Sequence, residues 1–334
     1  MTVLVTGAGL LGSQVAAKLV ERGEKPILYD IVYDLESFPT IVEMNKVTRI
    51  VGDLLDLPFL IDVIKKEKIN RIIHSASMLF SGVRARPYSG VMTNIIGTLN
   101  VLEAAKITNI ERVVFTSSII VSGGVRELSV KTPYQEDFTL KCLSQKPPNI
   151  YGVTKLTSEY LGLLYHELYG VDFVALRVGG LFGPWKKTPS GVPSRVADLF
   201  VRNAAYEKPV IIDDPFFTFS GVVDFVYSKD VAKGCVLACF VEKEKIKSRV
   251  YNMTWGTPYT FQDIIETTKK VFPGVEIKVR EISKGGWAGM GAYPVPYDVS
   301  KIRNELGFEP DFNLETSFRD YGGWLKRHWP SGEV

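Results

Sequence analysis

Along the first half of the chain, short runs of apolar and often β-branched residues alternate with stretches whose apolar positions recur every three or four residues. The runs are Val3-Leu4-Val5, Ile27-Leu28-Tyr29, Thr48 to Val51, Arg71-Ile72-Ile73, Val113-Val114-Phe115 and Phe173 to Leu176. Helical spacing fills Gln14 to Glu21, Phe59 to Lys66, Val91 to Lys106 and Lys155 to Tyr169. Strands that are apolar at nearly every position have both faces covered, and strands that alternate with helices pair in parallel. The pattern therefore predicts an α/β protein built on a doubly wound parallel sheet.

Beyond Arg177 the texture changes, with Gly183-Pro184, Pro189, Gly191 and Pro193 in close succession, before strand and helix patterns return over Val222 to Phe240 and Val250 to Met253. This divides the chain into a first domain over residues 1–178, to which 211–255 partly returns, and a smaller C-terminal substrate lobe over 179–210 and 256–334. No internal repeat or low-complexity tract is visible.

The first strand runs directly into Gly7-Ala8-Gly9-Leu10-Leu11-Gly12, a G-x-G-x-x-G turn that opens a helix. Each glycine has a mechanical task in such a turn: a tight bend, close backbone approach to a pyrophosphate, and close helix–strand contact, with the helix N-terminus facing the phosphates. The second strand ends in Asp30, eighteen residues beyond Gly12. There a carboxylate accepts hydrogen bonds from ribose hydroxyls and repels a 2′-phosphate, and the next residues, Ile31 and Val32, offer no arginine to reverse that preference. NAD rather than NADP is the expected cofactor.

Tyr151 and Lys155 are four residues apart, which places them on one face of a helix in any protein and by itself means little. The chemistry of such a pair is specific, however. A lysine one turn from a tyrosine can lower the phenol pKa and hold a nicotinamide ribose, so that the tyrosine exchanges a proton with a substrate oxygen.

In this context the chain resembles the extended short-chain dehydrogenase/reductase family, the NAD-dependent epimerase/dehydratase family with its Rossmann fold, nearly from end to end. Val51-Gly52-Asp53-Leu54 is similar to the family's adenine-contacting turn, and Ile72 to Ser77 to its fourth strand and cofactor-lining loop, which includes Ser75, Ala76 and Ser77. Asn94 to Ala105 is similar to the helix that follows, Phe115-Thr116-Ser117-Ser118 to the serine-bearing strand end, and Asp224 to Ala232 and Tyr297 to Lys301 to later family segments. The resemblance implies that Ser118 bonds the reacting oxygen, Tyr151 is the general acid or base, and Lys155 orients the ribose and tunes Tyr151. It also implies cofactor contacts from Gly7, Gly9, Leu10, Leu11, Gly12, Asp30, Asp53, Leu54, Ser75, Ala76, Ser77, Asn94, Thr116, Tyr151 and Lys155. Structural readings stand beside these: Ser118 as a strand-end serine serving the backbone, Asn94 as the support of a helix kink. A homodimer is implied as well, through pairing of the Asn94–Lys106 helix and the Tyr151 helix with their symmetry mates.

Several departures bear on the substrate. The glycine loop is one residue tighter than the family's usual G-x-x-G-x-x-G. Ile119 and Ile120 stand where the 4,6-dehydratases carry an acid pair, and apolar side chains cannot move that proton. Gly180 and Val223 occupy places where nucleotide-sugar enzymes carry an asparagine and an arginine, and Gly285 to Gly291 contains no cation. Each lost charge-assisted contact weakens a diphosphate site by about 1.5–3 kcal/mol. A different loop, Trp185 to Arg195, offers Lys186, Lys187 and Arg195 to a carboxylate and Thr188 and Ser190 to a polyol.

Composition narrows the picture without changing it. With 334 residues, 46% hydrophobic content and a net charge of +3, the chain can bury a large core and shows no basic run for a nucleic-acid partner. Three cysteines, Cys142, Cys235 and Cys239, form no metal pattern with the three histidines, and Cys235 and Cys239 read as core residues. No apolar run reaches the roughly 20 residues of a membrane span, and no leader precedes the first strand, which points to a cytoplasmic setting. The expectation is an NAD-dependent oxidoreductase interconverting a secondary alcohol and a ketone on a small sugar, sugar acid, or hydroxy or amino acid. The alternatives are a nucleotide-sugar 4-epimerase, which returns the same hydride, and a non-catalytic NAD-binding regulatory protein.

Overall fold

The apolar strands have no face to give to solvent, and in the computed structural model they assemble accordingly. The structure describes residues 1–334 apart from 124–132, 139–145, 188–190, 215–216, 220, 281, 283–295 and 333–334. The chain begins β1 (Thr2–Thr6), α1 (Leu10–Glu21), β2 (Lys25–Asp30), β3 (Thr48–Val51), α2 (Leu57–Lys66), β4 (Arg71–His74), α3 (Phe80–Ala85) and α4 (Pro87–Val91). It continues α5 (Gly97–Thr108), β5 (Arg112–Ser118), α6 (Ile150–Tyr169), β6 (Phe173–Val178), β7 (Gly180–Phe182), α7 (Val192–Ala205), β8 (Val210–Ile212) and β9 (Val222–Tyr227). The last elements are α8 (Ser228–Phe240), β10 (Val250–Met253), β11 (Pro258–Thr260), α9 (Phe261–Val271), β12 (Ile277–Val279), α10 (Ser300–Leu306) and α11 (Leu314–His328).

Seven strands form one parallel sheet in the order β10-β6-β5-β4-β1-β2-β3, which is the doubly wound α/β class the pattern predicts. Alternate side chains of β1 enter opposite cores: Val3 and Val5 pack with Val15, Ala16 and Leu19 of α1 and with α8, whereas Leu4 packs with Leu60, Val63, Leu102 and Phe173 on the other face. Because β1 lies between β2 and β4, the chain winds away from it in both directions, and a crevice opens beyond the carboxyl ends of these strands.

The C-terminal part contributes two small sheets, β11-β9-β7 and β12-β8, with α7, α9 and α11 packed on them. Phe182 anchors this lobe, with Phe225, Tyr227, Trp255 and Phe318 around its ring at centroid distances of 5.3–6.0 Å. Val250–Met253 leaves the lobe and forms the edge strand of the large sheet.

Two local results differ from the sequence pattern. The helix bearing Tyr151 starts at Ile150, not near Lys155, because the Asn149 side chain accepts the Gly152 N–H at 2.9 Å and caps it. The helix expected over Val91 to Lys106 is broken by one π turn, Met92–Ile96, in which the Asn94 carbonyl accepts from Thr98 Oγ1 at 2.6 Å and Ser158 Oγ at 3.1 Å. On α6, Val153, Tyr160, Leu164 and Leu168 form an exposed apolar stripe.

Candidate active site

At the start of α1 three glycines are spaced by three different demands. A Cβ on Gly12 would stand 1.7 Å from the Gly7 carbonyl oxygen, and Gly7 has φ +88° with its Cα packed on the Ala76 backbone, so both positions exclude a side chain. Gly9 instead meets open space, which leaves its backbone approachable from the crevice. The N-terminus of α1 has no side-chain cap and no acid in its first turn, so its free N–H groups remain for an anion. A dinucleotide pyrophosphate fits this cradle.

One continuous cavity of about 710 Å³ runs from that cradle into the interlobe crevice. Its cofactor end is lined by Gly7, Gly9, Leu10, Leu11, Gly12, Asp30, Asp53, Leu54, Ser75, Ala76 and Ser77. Asp30 sits at the end of β2 with Oδ2 accepting the Ala8 N–H at 2.6 Å, which ties the carboxylate to the glycine loop. Tyr29 donates to the Asp53 carbonyl at 2.8 Å, and Asn100 to the Leu54 carbonyl at 2.8 Å, fixing the turn after β3. Ser75 Oγ donates to the Thr6 carbonyl at 2.7 Å and holds the loop after β4 beside β1.

The other end of the cavity brings Thr116, Ser118, Tyr151 and Lys155 together. Ser118 ends β5 and Tyr151 opens α6, so a strand end and a helix start meet. Burial pushes the Tyr151 phenol up to about 12, and a hydrogen bond with Ser118 works against that rise. Burial also drives the Lys155 ammonium down to about 7, opposed by the nearby Glu159 carboxylate, while its Nζ donates to the Thr116 carbonyl at 2.8 Å. Burial thus dominates at Tyr151, with Ser118 the group that opposes it, and the Lys155 Nζ stands 5.8 Å from the phenol ring centre.

Behind these groups lies a buried ionic scaffold. Arg177 of β6 makes a bidentate pair with Glu159 at 2.8 and 2.9 Å, Ser117 Oγ donates to the same carboxylate at 2.5 Å, and Arg177 reaches the Glu136 carbonyl at 2.7 Å. Asp224 on the cavity wall is raised to about 7 by burial, against hydrogen bonds from Thr254, Tyr297, Gly256 and Thr257.

Four residues from the sequence reading stand elsewhere. Asn94 is 2% exposed and does not line the cavity; its amide is used by the Met78 backbone, at 2.7 and 2.9 Å, and by Thr154 Oγ1 at 3.1 Å. These bonds fix the loop after β4. Lys186 and Lys187 turn outward to Glu36 and Asp34, at 2.8 and 3.3 Å, and Arg195 lies over the Phe217 ring. These three line a separate hollow of about 450 Å³, together with Glu36 of the loop after β2. Gly180 and Val223 do line the main cavity, as do Ile119 and Ile120. Thr188, Ser190, Cys142 and Gly285 to Gly291 lie outside the described residues.

His74 is wholly buried between Thr6 Oγ1 and Thr98 Oγ1, at 2.6 and 3.0 Å, and burial with the Lys155 charge depresses it to about 3, so it is a neutral structural ring. Cys235 and Cys239 are buried thiols, and no cluster of metal-ligating side chains occurs among the described residues. Arg86, Ser89, Thr93 and Asn149 also line the cavity, and sequence reasoning missed them; the Trp185 to Arg195 loop lines it through Trp185 and Ser194, not through the cations expected there. Asn149 alone carried a readable signal, as the helix cap before Ile150.

The model of the NAD dependent epimerase/dehydratase family matches residues 3–254. UDP-glucuronate 4-epimerase 2 of Arabidopsis thaliana is 26% identical over 99% of this chain and 77% of its own length. Among solved structures, L-threonine 3-dehydrogenase of Trypanosoma brucei superposes with a TM-score of 0.83 at 22% identity, covering 98% of both chains. The UDP-glucose 4-epimerase of Thermus thermophilus in complex with NAD superposes with a TM-score of 0.76 at 23% identity, covering 97% of this chain and 99% of that one.

Proposed function

Since the chain belongs to the NAD dependent epimerase/dehydratase family, we propose that it is an NAD-dependent dehydrogenase that oxidises a secondary alcohol of a small acidic or polyhydroxylated substrate, or reduces the corresponding ketone. The observation that carries this reading is the shared cavity: the glycine cradle and Asp30 at one end, Ser118, Tyr151 and Lys155 at the other, and Gly180 and Val223 in place of diphosphate ligands on the substrate wall.

NAD, when bound, supplies a hydride acceptor beside the reacting carbon. Gly7, Gly9, Gly12 and the first turn of α1 would hold its phosphates, Asp30 would hold a ribose, and Asp53 and Leu54 would flank its adenine end. In the oxidation direction Ser118 donates a hydrogen bond to the substrate oxygen and Tyr151 takes the hydroxyl proton as general base. A phenol held near 12 needs help to accept that role near neutral pH; the Ser118 hydrogen bond gives part of it, and the charge of Lys155, one helical turn along α6, is the cation that would add to it. Glu159 supports the charged form of Lys155, and Arg177 holds Glu159 in place. Ile119 and Ile120 leave no acid pair for dehydration.

A nucleotide-sugar 4-epimerase is the second reading, favoured by the near-full-length match to UDP-glucuronate 4-epimerases. Net NADH separates the two. Incubation with NAD and a panel of hydroxy acids, amino acids, sugar acids and UDP-sugars is expected to accumulate NADH with a small acid. Tyr151→Phe is expected to retain NAD binding and lose about 10²-fold or more in turnover. Interconversion of UDP-sugars without net NADH would replace the dehydrogenase reading by the epimerase.

A further inference from the structure

Of the cavity-lining side chains among the described residues, two are cations. Lys155 is committed to the Thr116 carbonyl and the phenol face. The other, Arg86, sits between α3 and α4, exposed, with its backbone at φ −136° and ψ 75° at the break between the two helices. Among the described residues no carboxylate pairs with its guanidinium, as is also true of Arg49, Arg84, Arg195, Arg280 and Arg327, but of these only Arg86 lines the cavity.

Arg86 does not stand alone. Ser89 and Thr93 follow at spacings of three and four residues along α4 and the π turn, and both line the same cavity, so one edge of this segment presents a guanidinium and two hydroxyls in a row. The segment is held against the catalytic helix, for α3, α4 and the π turn all pack on α6, where Tyr151 is the second residue. Asn94 locks this arrangement through Met78 and Thr154. The row therefore lines the same cavity as Tyr151, on a segment packed against α6, whereas the Lys186, Lys187 and Arg195 side chains line the other hollow.

A planar guanidinium with flanking hydroxyl donors matches a carboxylate, which accepts two parallel N–H bonds and further O–H bonds. We propose that Arg86, Ser89 and Thr93 form a carboxylate subsite, so that the substrate carries a carboxylate within a few atoms of the alcohol carbon facing Tyr151. The proposal deepens the reading above and names its substrate class, an α- or β-hydroxy acid or the acid end of a sugar acid. It holds whether hydride is kept on the cofactor or returned.

The test is calorimetric binding to the NAD-loaded protein with matched probes: L-threonine against L-threoninol, D-galacturonate against D-galactose, and UDP-glucuronate against UDP-glucose. In at least one pair the acid is expected to bind about tenfold or more tightly than its neutral partner. Arg86→Gln is expected to abolish that preference while leaving neutral probes within about twofold, and Arg86→Lys to restore part of it. With any turned-over acid, Arg86→Gln should raise KM more than it lowers kcat. Equal binding of acid and neutral probes in all three pairs overturns the subsite, as does an Arg86→Gln variant that loses affinity for both members of a pair alike. The two readings fail separately. NADH formation with no acid preference removes the subsite and leaves the dehydrogenase, whereas an Arg86-dependent acid preference without net NADH leaves the subsite and removes the dehydrogenase.

Discussion

The buried pair beneath the catalytic helix gives the sharpest quantitative expectation. Glu159 is 1% exposed and Arg177 is 7% exposed, and the pair is bidentate. Glu159→Gln keeps the acceptor for Ser117 Oγ but leaves the Arg177 guanidinium buried without its main counter-charge, with only the more distant Glu136 to offset it. Breaking one member of a buried pair costs about 3–5 kcal/mol. At about 2.1 cal/mol/K of unfolding entropy per residue, a chain of 334 residues loses about 1.4 °C of Tm per kcal/mol, so the expected fall is about 4–7 °C. A second consequence follows on α6. Glu159 holds the Lys155 ammonium up against burial, so its removal lowers Lys155 further below about 7. If charged Lys155 assists Tyr151, the charged fraction at a given neutral pH falls, and the pH at which that assistance is lost moves down. Calorimetry gives Tm, and NMR of 13Cε-labelled lysine in the cofactor-free protein gives the Lys155 titration. A Tm fall under about 1 °C with an unmoved Lys155 titration would refute the scaffold argument.

Asp30→Ala should narrow the preference for NAD over NADP, expected to be at least about tenfold in kcat/KM in the parent, because the charge that repels a 2′-phosphate is gone; equal use of both cofactors by the parent would remove Asp30 from this role. The exposed stripe of Val153, Tyr160, Leu164 and Leu168 is proposed as one side of a symmetric helix-pair interface. Leu164→Glu with Leu168→Glu should convert a dimer into a monomer in sedimentation velocity at micromolar concentration, and a monomeric parent would contradict the interface.

Much of the fold could be read because its causes are local. Near-continuous apolar strands in alternation with helices dictate a parallel sheet covered on both faces, and β5 and β6 are buried at almost every position for that reason. The glycine turn was equally legible, since the need for absent side chains at Gly7 and Gly12 is written in residue type. Tyr151 and Lys155 could be paired from spacing, because a helix brings i and i+4 together without help from the rest of the molecule. What tertiary structure alone decided depends on meetings between distant segments. Lys186, Lys187 and Arg195 carry the right charge for a substrate loop, yet acids more than 140 residues earlier in the chain draw both lysines outward. Asn94 spends its amide on a loop that no spacing rule connects to it. The phenol of Tyr151 is raised, not lowered, because burial is a property of everything packed around a group and not of its neighbours in sequence. Arg86 belongs to no motif in the sequence; its place on the cavity wall follows from α3 and α4 packing on α6, which composition and periodicity do not encode.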